Sequence, residues 1–144
     1  MRHQISGKKL GRDIKKRKAL FKSLIVNLIS HGAIKTTEAK AKAVRRLVDK
    51  IVTKAKAGSL HARRQIIAFL PQKQAVKKLF EEIAPQFNER RGGFTKMSKL
   101  GSRKGDQAPM VRIEWTEDKL KIKNEKLKVS KKEKEDDKNK VDKT

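Results

Sequence analysis

The 144-residue sequence predicts an α+β domain, a small three-stranded sheet packed against about four helices, with a basic N-terminal arm and a disordered C-terminal tail. Three observations carry this. Apolar residues recur with a helical period of about 3.6 in successive segments between Asp13 and Pro85. After Arg91 the period falls to about two, with glycines between the alternating stretches. Beyond Trp115 the strongly apolar residues nearly vanish. The chain therefore divides into an arm (1–12), a domain (13–116) and a charged tail (117–144).

The first helix is expected from about Asp13, with Leu20 or Phe21, Leu24, Ile25, Leu28 and Ile29 on one face. Ser30-His31-Gly32 ends it with a glycine suited to a left-handed cap, and Ala33 to Thr36 is a short strand. In the second helix Val44, Leu47, Val48, Ile51, Val52 and Ala55 form the clearest amphipathic stripe in the chain, opposite Arg45, Arg46, Lys50, Lys54 and Lys56. Thr36 or Thr37 supplies its N-cap, and the charge of Glu38 in the first turn suits the helix dipole. Gly58-Ser59 stops it. A third helix runs from about Leu60 to Leu70, and a fourth carries Val76, Leu79, Phe80 and Ile83 until Pro85 closes it. A turn at Arg91-Gly92-Gly93 leads to strands at Phe94–Leu100 and Met110–Trp115, joined by a basic glycine-bearing loop. Val111, Ile113 and Trp115 face one way on the last strand, and Met110, Arg112 and Glu114 the other.

Charge is the strongest global fact: 40 Lys and Arg stand against 16 Asp and Glu, a net +24. The tail from Glu117 to Thr144 holds 11 lysines and 8 acids, so 29 basic and 8 acidic residues fall in Met1 to Thr116. The excess thus belongs to the arm and domain, and a surface of that sign seeks a polyanion. With only Leu120, Ile122, Leu127, Val129 and Val141 strongly apolar, the tail reads as solvated and mobile. The absence of cysteine rules out disulfides and thiolate metal sites and agrees with a reducing compartment. No apolar run approaches the roughly 18 residues of a membrane span. The N-terminus lacks the apolar stretch of a secretory signal, so the expected location is the compartment of synthesis.

The stretch "HGAIKTTEAKAKAVRRL" imitates a phosphate-binding loop, but Ile34 rather than glycine precedes Lys35 and no second glycine lets the backbone wrap a phosphate. It is better explained as a helix end, a strand and a capped helix start; any phosphate met by Lys35, Arg45 or Arg46 would belong to a nucleic-acid backbone rather than a bound nucleotide. His3, His31 and His61 lack ligand spacing and a neighbouring catalytic motif, which leaves no candidate catalytic residue, metal site or cofactor. Phe21, Phe69, Phe80 and Trp115 fall at apolar positions, Phe94 is also assigned to packing, and tyrosine is absent. Few aromatics remain for stacking bases, so the expected mode is recognition of phosphates and shape by Arg and Lys.

The candidate RNA-binding residues are Arg2, His3, Lys8, Lys9 and Arg12 in the arm and Lys15, Lys16, Arg17 and Lys18 at the first helix start. The others are Arg63 and Arg64, Arg90 and Arg91, and Lys96, Lys99, Arg103 and Lys104 around the last loop. Five cations at a helix N-terminus, counting Lys22, oppose the macrodipole, a conflict that an external anion relieves and a solvated basic face leaves standing.

Taken in order, "MRH", "GKKLGR", "TTEAKAKAVRRLVDKIVTKAK", "HARRQ", "VKKLFEEIAP", "RRGGFTKMSKLGSRKGDQAPM" and "IEW" resemble the L-seventeen family of bacterial large ribosomal subunit proteins. The likeness runs from about Met1 to Trp115. It implies a non-enzymatic cytoplasmic protein bound to large-subunit rRNA, beside other ribosomal proteins near the nascent-chain tunnel exit, with neither a membrane nor a small-molecule substrate. The family's RNA-facing pattern falls on Arg2, His3, Lys8, Lys9, Arg12, Arg17, Lys18 and the loop from Arg91 to Lys104. The sequence departs from it at Asp13-Ile14-Lys15-Lys16, usually richer in Ser, Thr and His, and at Phe94-Thr-Lys, where Tyr-Thr-Arg is common. Lysine there keeps the charge but loses the bidentate fork of arginine. The rival readings are a free-standing DNA-compacting protein and an RNA-modifying enzyme, the latter without a recognisable catalytic motif.

Overall fold

The computed structural model describes residues 8–116; Met1 to Gly7 of the arm and the tail from Glu117 lie outside the described residues. The elements are α1 (Ile14–His31), β1 (Ala33–Thr37), α2 (Glu38–Ala57), α3 (Leu60–Phe69), α4 (Lys73–Lys78), a π-helical turn (Leu79–Ile83), α5 (Ala84–Gln86), β2 (Thr95–Ser102) and β3 (Pro109–Trp115). This is the expected α+β architecture. Helices pack on one face of a three-stranded antiparallel sheet of order β1-β3-β2.

The helix ends follow from local chemistry. Gly32 (φ 76°) and Gly58 (φ 64°) take the left-handed conformation and donate backward, Gly32 to the Leu28 carbonyl and Gly58 to that of Ala55. Thr37 is the N-cap of α2 by position, but its hydroxyl makes no capping bond. The start of α2 is supported by Glu38, which pairs with Lys42 at 2.5 Å one turn later. At α3 the cap is a bonded one, since the Ser59 Oγ accepts from the Ala62 amide at 3.1 Å.

Pro85 does not close the fourth helix as the sequence reading expects. The backbone stays helical through Leu79–Ile83 as a π turn and on to Gln86, with the Ala84 N–H reaching back five residues to the Leu79 carbonyl. A π turn shifts the backbone register by one residue, so the N–H that Pro85 lacks falls in the widened stretch.

Of the expected apolar stripes, Ile25, Leu28 and Ile29 of α1 and Val44, Val48, Ile51 and Val52 of α2 are buried. They meet Val111 and Ile113 of β3 in one core, completed by Leu70, Leu79 and Ile83. Phe87 and Phe94 pack edge to face with centroids 5.3 Å apart, and Trp115 lies 6.1 Å from Phe87. The assignment of Phe94 to packing holds, for its side chain is fully buried. The Trp115 indole N–H donates to the Leu28 carbonyl at 3.3 Å, tying the end of the sheet to α1. Polar groups of α2 clamp the loop before β2: Asp49 Oδ1 accepts from the Phe94 amide at 3.3 Å, while Lys56 donates to the Arg90 carbonyl at 2.5 Å and lies over the Phe94 ring. Lys78 likewise donates to the Ser30 carbonyl at 2.9 Å near the C-terminus of α1, where a cation is favoured. No helix among the described residues is long and apolar enough to cross a membrane.

The β2–β3 loop is braced by Arg103, whose guanidinium donates to both carboxylate oxygens of Asp106 at 3.0 and 2.6 Å. That hydrogen bond, with one from the Ala108 amide, holds the Asp106 carboxyl down to about 2.

Three outcomes are expected. Phe94→Ala removes a fully buried ring and should lower unfolding free energy by about 3–5 kcal/mol, read from the denaturant midpoint. Thr95 has a buried hydroxyl without a partner among the described residues, so Thr95→Val should raise stability by about 1 kcal/mol in the same assay. Because the folded-state pKa of Asp106 is depressed, its contribution is present above the ordinary carboxylate value and fades as pH falls through about 2. An NMR titration of its carboxyl carbon should show that midpoint, and Arg103→Ala should move it upward.

Candidate nucleic-acid interface

The described end of the arm is a tight turn. Leu10 (φ 54°) and Gly11 (φ 61°) are both left-handed, and the Arg12 amide bonds the Lys9 carbonyl at 3.1 Å. Glycine adopts this conformation freely, whereas Leu10 does so at about 1–2 kcal/mol. Arg12 steadies the turn by donating to the Leu10 carbonyl at 3.0 Å, and Arg17 reaches back to the Arg12 carbonyl at 3.5 Å. Lys8, Lys9 and Arg12 thus stand exposed just ahead of α1. In the first turns of that helix Lys15, Lys16 and Lys18 are exposed and Arg17 is half-buried, with no acidic residue in the first turn. The positive end of the dipole and these cations therefore reinforce one another without internal compensation from that turn. Arg2 and His3 lie outside the described residues.

Tertiary structure brings part of the arm to the sheet. Glu38, at the start of α2, has its carboxyl held below the ordinary value, first by the hydrogen bond and charge of Lys42 and then by the charges of Lys99 and Lys8. Lys8 and Lys99, ninety-one positions apart in sequence, consequently share one basic neighbourhood. One carboxylate among three lysines leaves it strongly positive.

The remaining candidates divide by what they already hold. Arg91, Lys99 and Lys104 are exposed around the turn and hairpin, and Arg64 is exposed on α3. Arg63 is exposed too but lies over the Phe80 ring, 5.5 Å from its centroid. Arg90 is half-buried and donates to the Gly93 carbonyl at 3.1 Å, so much of its task is to shape the Arg91-Gly92-Gly93 turn. Arg103 is engaged with Asp106, and Lys96 pairs with Glu114 at 3.2 Å on the sheet. Arg112, absent from the sequence-based candidates, is exposed beside Lys35 because β3 pairs with β1 in the register Lys35 to Arg112. Alternation on β3 indicates that Arg112 faces away from the core; only the strand pairing reveals its neighbour.

Among the described residues no group of three His, Cys, Asp or Glu side chains is placed to hold a metal ion. His61 contacts Gln65, with the two nitrogens 2.6 Å apart, and His31 is exposed at the end of α1. The arrangement is a basic surface with small patches of internal pairing, suited to contacts with many phosphates.

Residues 20–116 match the family described as ribosomal protein L17. A relative from Desulforapulum autotrophicum, "Large ribosomal subunit protein bL17", is 51% identical over 114 residues, covering 79% of this chain and 95% of its own. Proteins of the same name from Clostridium perfringens and Thermodesulfovibrio yellowstonii are 49% and 47% identical, covering 74% and 81% of this chain and 95% and 88% of theirs. Those names denote a part of a ribosomal subunit rather than a reaction. With identity near one half over about three quarters of the chain or more and a family match over residues 20–116, the protein belongs to the ribosomal protein L17 family.

Proposed function

We propose that the chain is a structural constituent of the large ribosomal subunit that binds and stabilises large-subunit rRNA. The observation that carries this reading is the surplus of cations in Met1 to Thr116, 29 against 8 acids, with most of the cations in the described part exposed. The arm, the start of α1, Arg63 and Arg64 of α3, and the segment from Arg90 to Lys104 form the contact surface. Phosphates pack closely only when their charge is neutralised, and exposed Lys and Arg on a rigid domain do this while fixing the geometry of the RNA. Arg and Lys of the arm follow the backbone of an RNA strand, and the rigid helix start and hairpin set its register. The work is assembly and stiffening rather than chemistry. The place of action is the ribosome, near the nascent-chain tunnel exit and beside other ribosomal proteins there, as the family resemblance implies; neither a membrane nor a small-molecule substrate enters the mechanism.

Gradient sedimentation of a lysate tests the reading, because a subunit constituent travels with large subunits and a free-standing nucleic-acid-binding protein does not. Deleting Met1 to Arg12 should leave the domain folded by circular dichroism but reduce its incorporation into large subunits; undiminished incorporation would remove the arm from the proposed surface. If about 10 phosphates are neutralised, affinity for large-subunit rRNA should drop by roughly 10³ to 10⁵ between about 50 and 200 mM salt.

A further inference from the structure

Among the described residues the helices cover one face of the sheet and leave the other open. On that face the antiparallel register sets Lys35, Arg112 and Ser98 in one row across the strands, and Ala33, Glu114 and Lys96 in the next. Two like charges directly opposite each other, Lys35 and Arg112, weaken a strand pair by about 0.2–1 kcal/mol, and the core takes no part in holding them there. Glu114 is the row's only acid and is shared, forming ion pairs with Arg112, whose Nε lies 3.0 Å from its carboxylate, and with Lys96 at 3.2 Å. Three cations against one carboxylate leave two charges uncompensated. Lys35 has no hydrogen-bond or ion-pair partner among the described residues, and among them the one contact of Arg112 is its ion pair with Glu114 through Nε. Between Lys35 and Arg112 lies a shallow depression of about 230 Å³ lined also by Ala33 and Ile34. The small side chain of Ala33 leaves room for an anion to come within reach of both cations.

We infer that this open sheet face is a second RNA-binding surface, on which Lys35 and Arg112 together hold the phosphodiester backbone of an RNA segment distinct from the one met by the arm. The inference rests on the rRNA-binding reading above. Both rows lack an aromatic ring, so unstacked bases find no platform and the ligand is backbone rather than base. Lys35 supplies a point charge, while the planar guanidinium of Arg112 can offer parallel N–H groups to two oxygens of one phosphate. Glu114 limits the attraction by pairing with both Arg112 and Lys96.

The test uses the full chain and protein-free large-subunit rRNA, with affinity measured from about 50 to 200 mM salt and the RNA footprinted by hydroxyl radicals. Neutralising both cations, Lys35→Gln with Arg112→Gln, should reduce the slope of log affinity against log salt by about 1.4–1.8, which narrows the gap to the unaltered chain by about tenfold over that range. It should also erase one protected RNA stretch and leave the others. Lys35→Gln alone breaks no internal contact and should give half the slope change, so the test survives if the double variant fails to fold. Glu114→Gln should tighten binding by freeing Arg112 and Lys96. A chain with Lys15, Lys16 and Lys18 neutralised separates the two levels of inference. If it loses affinity while the sheet-face variants keep the slope and footprint of the unaltered chain, RNA binding stands and this face is not part of it, an acidic protein segment being then the better occupant. If the unaltered chain shows neither salt-dependent binding nor a footprint, both readings fall.

Discussion

The domain depends on β3 lying between β1 and β2. A central strand must satisfy backbone groups on both edges, and here one edge is paired with residues 33–37 and the other with residues 95–102. Its Val111 and Ile113 fill the space under α1 and α2, and the Trp115 indole is bonded to the Leu28 carbonyl. Four helices, a π turn and β2 separate β1 from β3, so this pairing closes a long loop. The loop closure is offset only when the helical layer is already packed, which makes sheet and helices one cooperative unit. The basic neighbourhood around Glu38 and the open-face row of Lys35 and Arg112 are both consequences of the same strand order.

Cations serve two purposes in this chain, and their surroundings distinguish them. Lys56, Lys78 and Arg90 end on backbone carbonyls, those of Arg90, Ser30 and Gly93 respectively. They satisfy groups that loop and helix ends would otherwise leave open, so they belong to the architecture. Lys8, Lys9, Lys15, Lys16 and Lys104 are exposed at the turn, helix start and hairpin tip, where an outside anion would relieve their mutual repulsion. Arg103 stands between these groups. Its bidentate hold on Asp106 braces the hairpin, and the exposed pair contributes shape to the loop more than stability to the fold.

Where sequence reasoning and the folded chain part, the cause is an interaction of long range or an unusual local geometry. The stripe of α2 was legible because six apolar residues recur on one face of a helix, and the same residues line the core. The two glycine caps were legible because few other residues tolerate the left-handed conformation. Pro85 misleads because proline ordinarily ends a helix, while here a π turn absorbs the missing donor. A threonine at the start of α2 marks the right position, although its hydroxyl is not what holds the helix end. For the candidate interface, clusters of Lys and Arg near glycines were visible along the chain, but the engagement of Arg90 and the company of Lys35 were not.

By itself, then, the sequence determined the order and type of the elements, the buried face of each and the sign of the surface. Periodicity, capping glycines and charge act within a few residues, so a linear reading captures them. Only the tertiary structure decided which cations became neighbours, which ones turned inward to carbonyls and which face of the sheet stayed open. Strand register and helix packing join residues far apart in the chain, and their energies depend on pairing and burial that no local pattern contains.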